Sequence, residues 1–225
     1  MSEKNPSSWQ EKIVGEWYGC PSVFNAEGFH VGYNKVNRSS VFEEGKTTYF
    51  METNLDATGP IRSRFEARDF AFGVIDSDQD RIYMGPDFMG SGQPFGSLVC
   101  AQYYSPAWTS DLETMVHILP DGETQVYSSL LYDGPTIAAV FNGVYKVAFD
   151  YEENQATKTR IDDFVTGEKS NGKAPHVLPF KHAGEWNGVL NVYSADQQQR
   201  GEEQVKILYK PQSLLRASSV VQTEG

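Results

Sequence analysis

The segment Gly15-Glu16-Trp17-Tyr18-Gly19 constrains this chain more than any other, because it comes back. Gly184-Glu185-Trp186-Asn187-Gly188 repeats its spacing, and Val192-Tyr193-Ser194-Ala195-Asp196 echoes Val23-Phe24-Asn25-Ala26-Glu27 at the same offset. The glycines let an extended segment bend sharply with no Cβ in the way. The Trp between them is a large side chain that needs an interior to fill. A chain that uses this opening twice has either two related units or one unit with a partial second copy.

The residues after the first opening read as a run of strands. Ser8 caps a short helix over Trp9–Val14, with Glu11 at the capping-box position. A first strand follows from Trp17 to Phe24, and Asn25-Ala26-Glu27-Gly28 makes a turn. His30–Phe42 and Thr47–Thr53 are strands joined by the turn Glu43-Glu44-Gly45-Lys46. Ile61, Ser63, Phe65 and Ala67 alternate with Arg62, Arg64, Glu66 and Arg68, which predicts a fourth strand with its arginines facing water. Phe70, Phe72 and Val74 then continue on the opposite phase, and a polar turn follows over Asp76–Asp80.

Arg81–Met84 reads as a short strand. Gly85–Gly96 is expected to be a loop, since glycines and prolines crowd it, yet it carries Phe88, Met89 and Phe95. Ser97–Tyr104 is a strand. Leu112–Leu119 and Thr124–Tyr132 form a hairpin around Pro120-Asp121-Gly122-Glu123. The last strand of the run is Thr136–Phe149, with Ile137, Ala139, Phe141, Tyr145, Val147 and Phe149 on one face. About eight to ten antiparallel strands joined by short turns close most simply into an up-and-down barrel.

The character then changes. Residues 151–179 are polar and read as a linker. Residues 180–225 restart the motif, with strands expected over Val189–Tyr193, Glu203–Tyr209 and Leu214–Val221. They are either a partial second repeat or strands added to the first barrel. A homodimer in which the half-repeat completes its sheet across two chains is a third arrangement.

The opening helix, the Gly15-x-Trp17 start and the meander over residues 9–150 resemble the calycin superfamily. That superfamily includes lipocalins, fatty-acid-binding proteins and the lipocalin-like pigment lyases. The resemblance implies an all-β, antiparallel up-and-down calycin-like barrel with a short N-terminal helix, and Trp17 plugging one end. It also implies a soluble protein that holds a small hydrophobic or aromatic molecule inside. A minority of such barrels do chemistry on what they hold. A third role is that of a structural module docked on a larger assembly.

Charge and cysteine content narrow the partners. The net charge of −11 repels phosphate backbones and anionic lipid, so neither nucleic acid nor a membrane is expected. No apolar run is long enough to span a bilayer. Cys20 and Cys100 fit no metal spacing and read as buried thiols in a reducing, cytoplasmic compartment. No cofactor and no metal site is expected.

The candidate site residues follow from strand phase and aromatic content. Tyr83, Phe88, Tyr104, Trp108, Gln125, Tyr127, Phe141 and Tyr145 are expected to line the cavity. Tyr103, Tyr104 and Trp108, beside Gly85–Gly96, suggest its mouth. If the barrel is instead an isomerase, a cyclase or a pigment lyase, His117 is the candidate general acid or base. Asp87 would be a carboxylate for that chemistry, and Tyr hydroxyls would orient the substrate.

Overall fold

The computed structural model describes residues 12–65, 68–76, 80–148, 182–213 and 216–224. The chain forms two compact units, Met1–Lys173 and Ala174–Gly225.

The first unit is a closed antiparallel barrel. Its strands are β1 (Gly15–Gly19), β2 (Ser22–Asn25), β3 (His30–Glu43), β4 (Lys46–Ala57), β5 (Arg68–Asp76) and β6 (Arg81–Met84). They continue with β7 (Met89–Phe95), β8 (Leu98–Ser105), β9 (Ser110–Ile118), β10 (Thr124–Asp133) and β11 (Thr136–Ala148). From β3 to β11 each strand pairs with the next. β1 and β2 both pair with β3 on one side and β11 on the other, which closes the ring. The two share one strand position, so eleven strands fill ten places around the barrel. Among the described residues, no sheet edge is left open in this unit.

The sequence explains the division of β1 from β2. Pro21 has no N–H for the ladder, but its carbonyl accepts from the Asn34 amide at 2.9 Å. β11 passes this point with Gly143, where a Cβ would sit 2.5 Å from Pro21 Cα. The turn between β3 and β4 places Glu44 at φ 51° and Gly45 at φ 77°, the left-handed pair that a tight hairpin needs.

Three expectations are corrected or bounded. The predicted strand over Ile61–Arg68 is not one: Pro60–Arg64 forms helix α1, and β5 begins at Arg68. Ile61 and Phe65 are both buried, and a spacing of four puts residues on one face of a helix as well as of a strand. Pro60 at the helix start decides between them. Most of the predicted loop Gly85–Gly96 is the strand β7. Its glycines permit close approach, since a Cβ at Gly90 would lie 2.1 Å from the Gln102 carbonyl on β8. Of the expected N-terminal helix, Lys12 and Ile13 are helical, and the preceding residues lie outside the described residues, as do residues 149–181.

The second unit is a three-stranded antiparallel sheet of β12 (Gly184–Tyr193), β13 (Gln199–Ser213) and β14 (Arg216–Glu224), in that order. Its first ladder repeats the register of the barrel's opening. Trp17 pairs with Arg38, and Trp186 pairs with Ile207. Subtracting 17 from 186, or 38 from 207, gives 169. Gly15↔Ser40 and Gly19↔Val36 map onto Gly184↔Tyr209 and Gly188↔Val205 by the same shift. A register irregularity between Val23 and Phe24 recurs between Val192 and Tyr193. The turns match as well. Asn25 N donates to Phe29 O, and Ser194 N to Gln198 O, each at 3.0 Å. The correspondence slips by one residue in the next ladder, where Val36 pairs with Thr53 but Val205 pairs with Thr223. An irregularity between Pro211 and Ser213 accompanies that slip.

Candidate functional site

The barrel encloses a cavity of about 110 Å³. Strand alternation fixes which residues reach it. On β3, Asn34, Val36 and Arg38 face inward. On β6 the inward residues are Arg81 and Tyr83, on β8 Val99, Ala101 and Tyr103, and on β9 Leu112, Thr114 and Val116. Gln125, Tyr127 and Leu131 on β10 and Phe141 and Tyr145 on β11 complete that side.

The wall is aromatic and ordered by ring packing. Tyr49 stacks on Phe72 with centroids 4.9 Å apart and planes 8° from parallel. Tyr83 meets Tyr103 edge to face at 5.1 Å, and Tyr127 meets Tyr145 at 5.0 Å. Trp108 packs edgewise on Phe70 at 4.9 Å and on Phe65, just past α1, at 5.4 Å. Arg64 fastens α1 to the turn before β9 by donating to the carbonyls of Trp108 and Thr109 and to Ser110 Oγ. Burial pushes the phenols of Tyr103 and Tyr145 well above the ordinary tyrosine range and that of Tyr127 above it. All three are therefore neutral hydroxyls near pH 7 and serve as hydrogen-bonding groups rather than bases.

Arg38 is the group that stands out. Its guanidinium lies 5.7 Å from the Trp17 ring, 5.7 Å from Tyr49 and 5.5 Å from Tyr145. Its Nη2 donates to Gln125 Oε1 at 2.9 Å. Each cation–π contact contributes about 0.5–2 kcal/mol, which offsets part of the cost of bringing the charge inside. Arg81, 3% exposed, donates to the Tyr49 hydroxyl at 3.4 Å.

Of the sequence candidates, Tyr83, Phe88, Trp108, Gln125, Tyr127, Phe141 and Tyr145 all line this cavity. Tyr104 does not: it is 38% exposed on the outer face of β8. His117 also lies outside, with its Nε2 2.9 Å from Ser97 Oγ. Leu112, Thr114, Val116 and Ile118 take the inward phase of β9, so His117 shares its face with Glu113 and Met115. Asp87 accepts from the Ala71 amide at 3.2 Å, which holds the turn before β7 and keeps it out of the cavity wall.

Arg38 and Arg81 were not singled out from the sequence. Residues directly opposite on antiparallel strands share a face, so the Trp17↔Arg38 pair places Arg38 inside once Trp17 is inside. That signal needs the β1–β3 register, which a single sequence does not state.

The described residues hold no group of three or more His, Cys, Asp or Glu placed to bind a metal. No helix among them is long and apolar enough to cross a membrane. Cys20 and Cys100 are not joined by a disulfide, and both are half-buried rather than fully buried as expected.

Fold and site define a class: a closed antiparallel β-barrel around a small, aromatic, positively charged cavity. No protein-family model matches the chain, and no curated protein matches it. Among solved structures it is similar to the S-type phycobiliprotein lyase CPES from Guillardia theta, at 10% identity and a TM-score of 0.45. That match covers 63% of this chain and 90% of the lyase. It is too distant to carry a ligand or an activity across.

Proposed function

We propose that the barrel is a calycin-like binding module that holds a small organic ligand in its central cavity. The observation that supports it most is the cavity itself. It is walled by aromatic rings and carries a few buried polar groups, the usual make-up of a ligand site. The enzymatic alternative built on His117 is not carried forward, because that side chain faces outward and bonds Ser97.

The test is ligand-observed NMR with a panel of single-ring compounds. The expected result is binding to the full chain, loss of binding in Ala101→Leu, which fills the cavity from β8, and no change in His117→Ala. Binding that survives Ala101→Leu would place the ligand elsewhere. A panel without a single hit, with a bare chain mass by native mass spectrometry, would sink the reading.

We also infer that residues 184–224 are a second copy of the barrel's opening strands. The constant shift of 169 residues through the β12–β13 ladder, its irregularity and its turn supports this. The test is a chimera in which residues 184–193 are replaced by 15–24. A preserved β12–β13 ladder by NMR is expected, and loss of the ladder would count against the assignment.

A further inference from the structure

Among the described residues, the cavity wall carries positive charge and no negative charge: its lining includes Arg38 and Arg81 and no Asp or Glu. Arg38 has the more telling geometry. Its hydrogen bond to Gln125 Oε1 turns the Gln125 amide so that the Nε2 donor is left over. Gln125 is fully buried, and its Nε2 has no hydrogen-bond partner. Arg38 Nε and the Trp108 indole Nε1, both in the same wall, are buried donors in the same condition, so three such donors stand against one acceptor, Asn34 Oδ1. Buried donors without acceptors are costly, and a ligand that accepts from them recovers the loss. The guanidinium favours an acceptor that is charged, because hydrogen bonds between ions are the stronger ones.

Size sets the second limit. An apolar cavity of about 150 Å³ admits benzene. At about 110 Å³ this one leaves room for a single ring only with slight adjustment of its walls, or for a short chain. Long acyl chains and tetrapyrroles exceed it.

We infer that the cavity takes a compact organic anion, a carboxylate on one ring or a short chain. The carboxylate sits on Arg38 and Gln125, and the apolar part lies against the Tyr49–Phe72 stack. The inference rests on the binding reading above and narrows it to one chemical class.

The test uses two matched pairs, benzoate with benzamide and hexanoate with hexanamide. Each is titrated calorimetrically into the full chain. The acid of at least one pair is expected to bind tighter than its amide by about 10- to 150-fold, the worth of one charged hydrogen bond. In Arg38→Met that ratio falls to near one. Gln125→Glu is the second variant. It sets a carboxylate beside Arg38, so it abolishes the acid preference and raises the melting temperature. It also keeps the question answerable should Arg38→Met fail to fold.

Amides that bind as tightly as acids in both pairs would overturn the anion inference and leave cavity binding standing. That is also the result expected if Arg38 is only a structural stacking group. No binding by any of the four would overturn both. An acid preference that persists in Arg38→Met or in Gln125→Glu would overturn the assignment to this corner of the cavity.

Discussion

Trp17 and Arg38 stand directly opposite each other in the β1–β3 ladder, with the guanidinium 5.7 Å from the indole centroid. The Trp is wholly buried, and its Nε1 donates to Ile13 O at 3.1 Å. The residue that fills the barrel at this level therefore also seats the charge beside it. Trp17→Ala removes a packed ring, a buried hydrogen bond and one wall of the Arg38 stack. It is expected to destabilise the barrel by about 3–5 kcal/mol, read from urea unfolding followed by circular dichroism. A loss within 1 kcal/mol would mean that the barrel does not depend on its first strand.

Gly32 and Gly201 occupy matching positions in the two ladders, opposite Val23 and Val192. Their surroundings differ. A Cβ at Gly32 would lie 2.1 Å from the Asp56 carbonyl on β4, and its φ is 154°. A Cβ at Gly201 meets nothing within 4 Å. Gly32→Ala is expected to cost about 1–3 kcal/mol because backbone atoms must separate. Gly201→Ala is expected to stay within about 0.5 kcal/mol. Equal effects at the two positions, read from the same unfolding curves, would contradict the packing described for β3 and β4.

Much of the barrel was legible because its signals are local. Period-two alternation found Phe70, Phe72 and Val74, and the Asp121-Gly122 turn located the β9–β10 hairpin. Asp121 accepts from the Glu123 and Thr124 amides at 2.9 Å each. What was missed depends on register or on ambiguous spacing. Ile61 and Phe65 fit a helix and a strand equally until Pro60 is weighed. β7 was hidden by glycines that a strand tolerates only when a neighbour presses close. His117 was a candidate only if its face lined the barrel, and it does not; Glu113, a charged residue on the same phase, was the available warning. Arg38 was invisible to alternation alone, since Asn34, Arg38 and Ser40 make an inward face that looks solvated.

The buried phenols predict that the fold loses stability at alkaline pH. Burial raises Tyr103, Tyr127 and Tyr145 above the ordinary value of about 10. The unfolded chain therefore ionises first. Their contribution to stability is full below about pH 10 and is lost as pH rises through the folded-state values. Acidification does not touch it. Absorbance titration near 295 nm should show a late-titrating class among the 12 tyrosines, released on unfolding. Removing the three hydroxyls by Phe substitution should shrink that class, leaving Tyr132, whose phenol is also raised, by burial and by its hydrogen bond to Glu113. A single titration at the ordinary value would show that the cavity is open to hydroxide and water.

Gln197 tests the kinship of the two turns. It sits at φ 63°, in the left-handed region, where Gly28 sits at φ 81° in the barrel. Both amides close the same turn, Gly28 N to Asn25 O and Gln197 N to Ser194 O, each at 2.9 Å. A side chain in this conformation costs roughly 1–2 kcal/mol, and glycine escapes that cost. Among the described residues of the second unit, Tyr209 is the one buried apolar side chain to set against such strain, at 8% exposure. Gln197→Gly is expected to slow hydrogen exchange at the Gln197 and Ser194 amides by about 3- to 10-fold, somewhat less than the full cost because glycine also loosens the unfolded chain. Gly28→Ala should do the reverse in the barrel, since a Cβ there meets no neighbour and only the backbone pays. Exchange at Gln197 that is unchanged or faster in Gln197→Gly would mean that its turn is not held in the conformation of its counterpart.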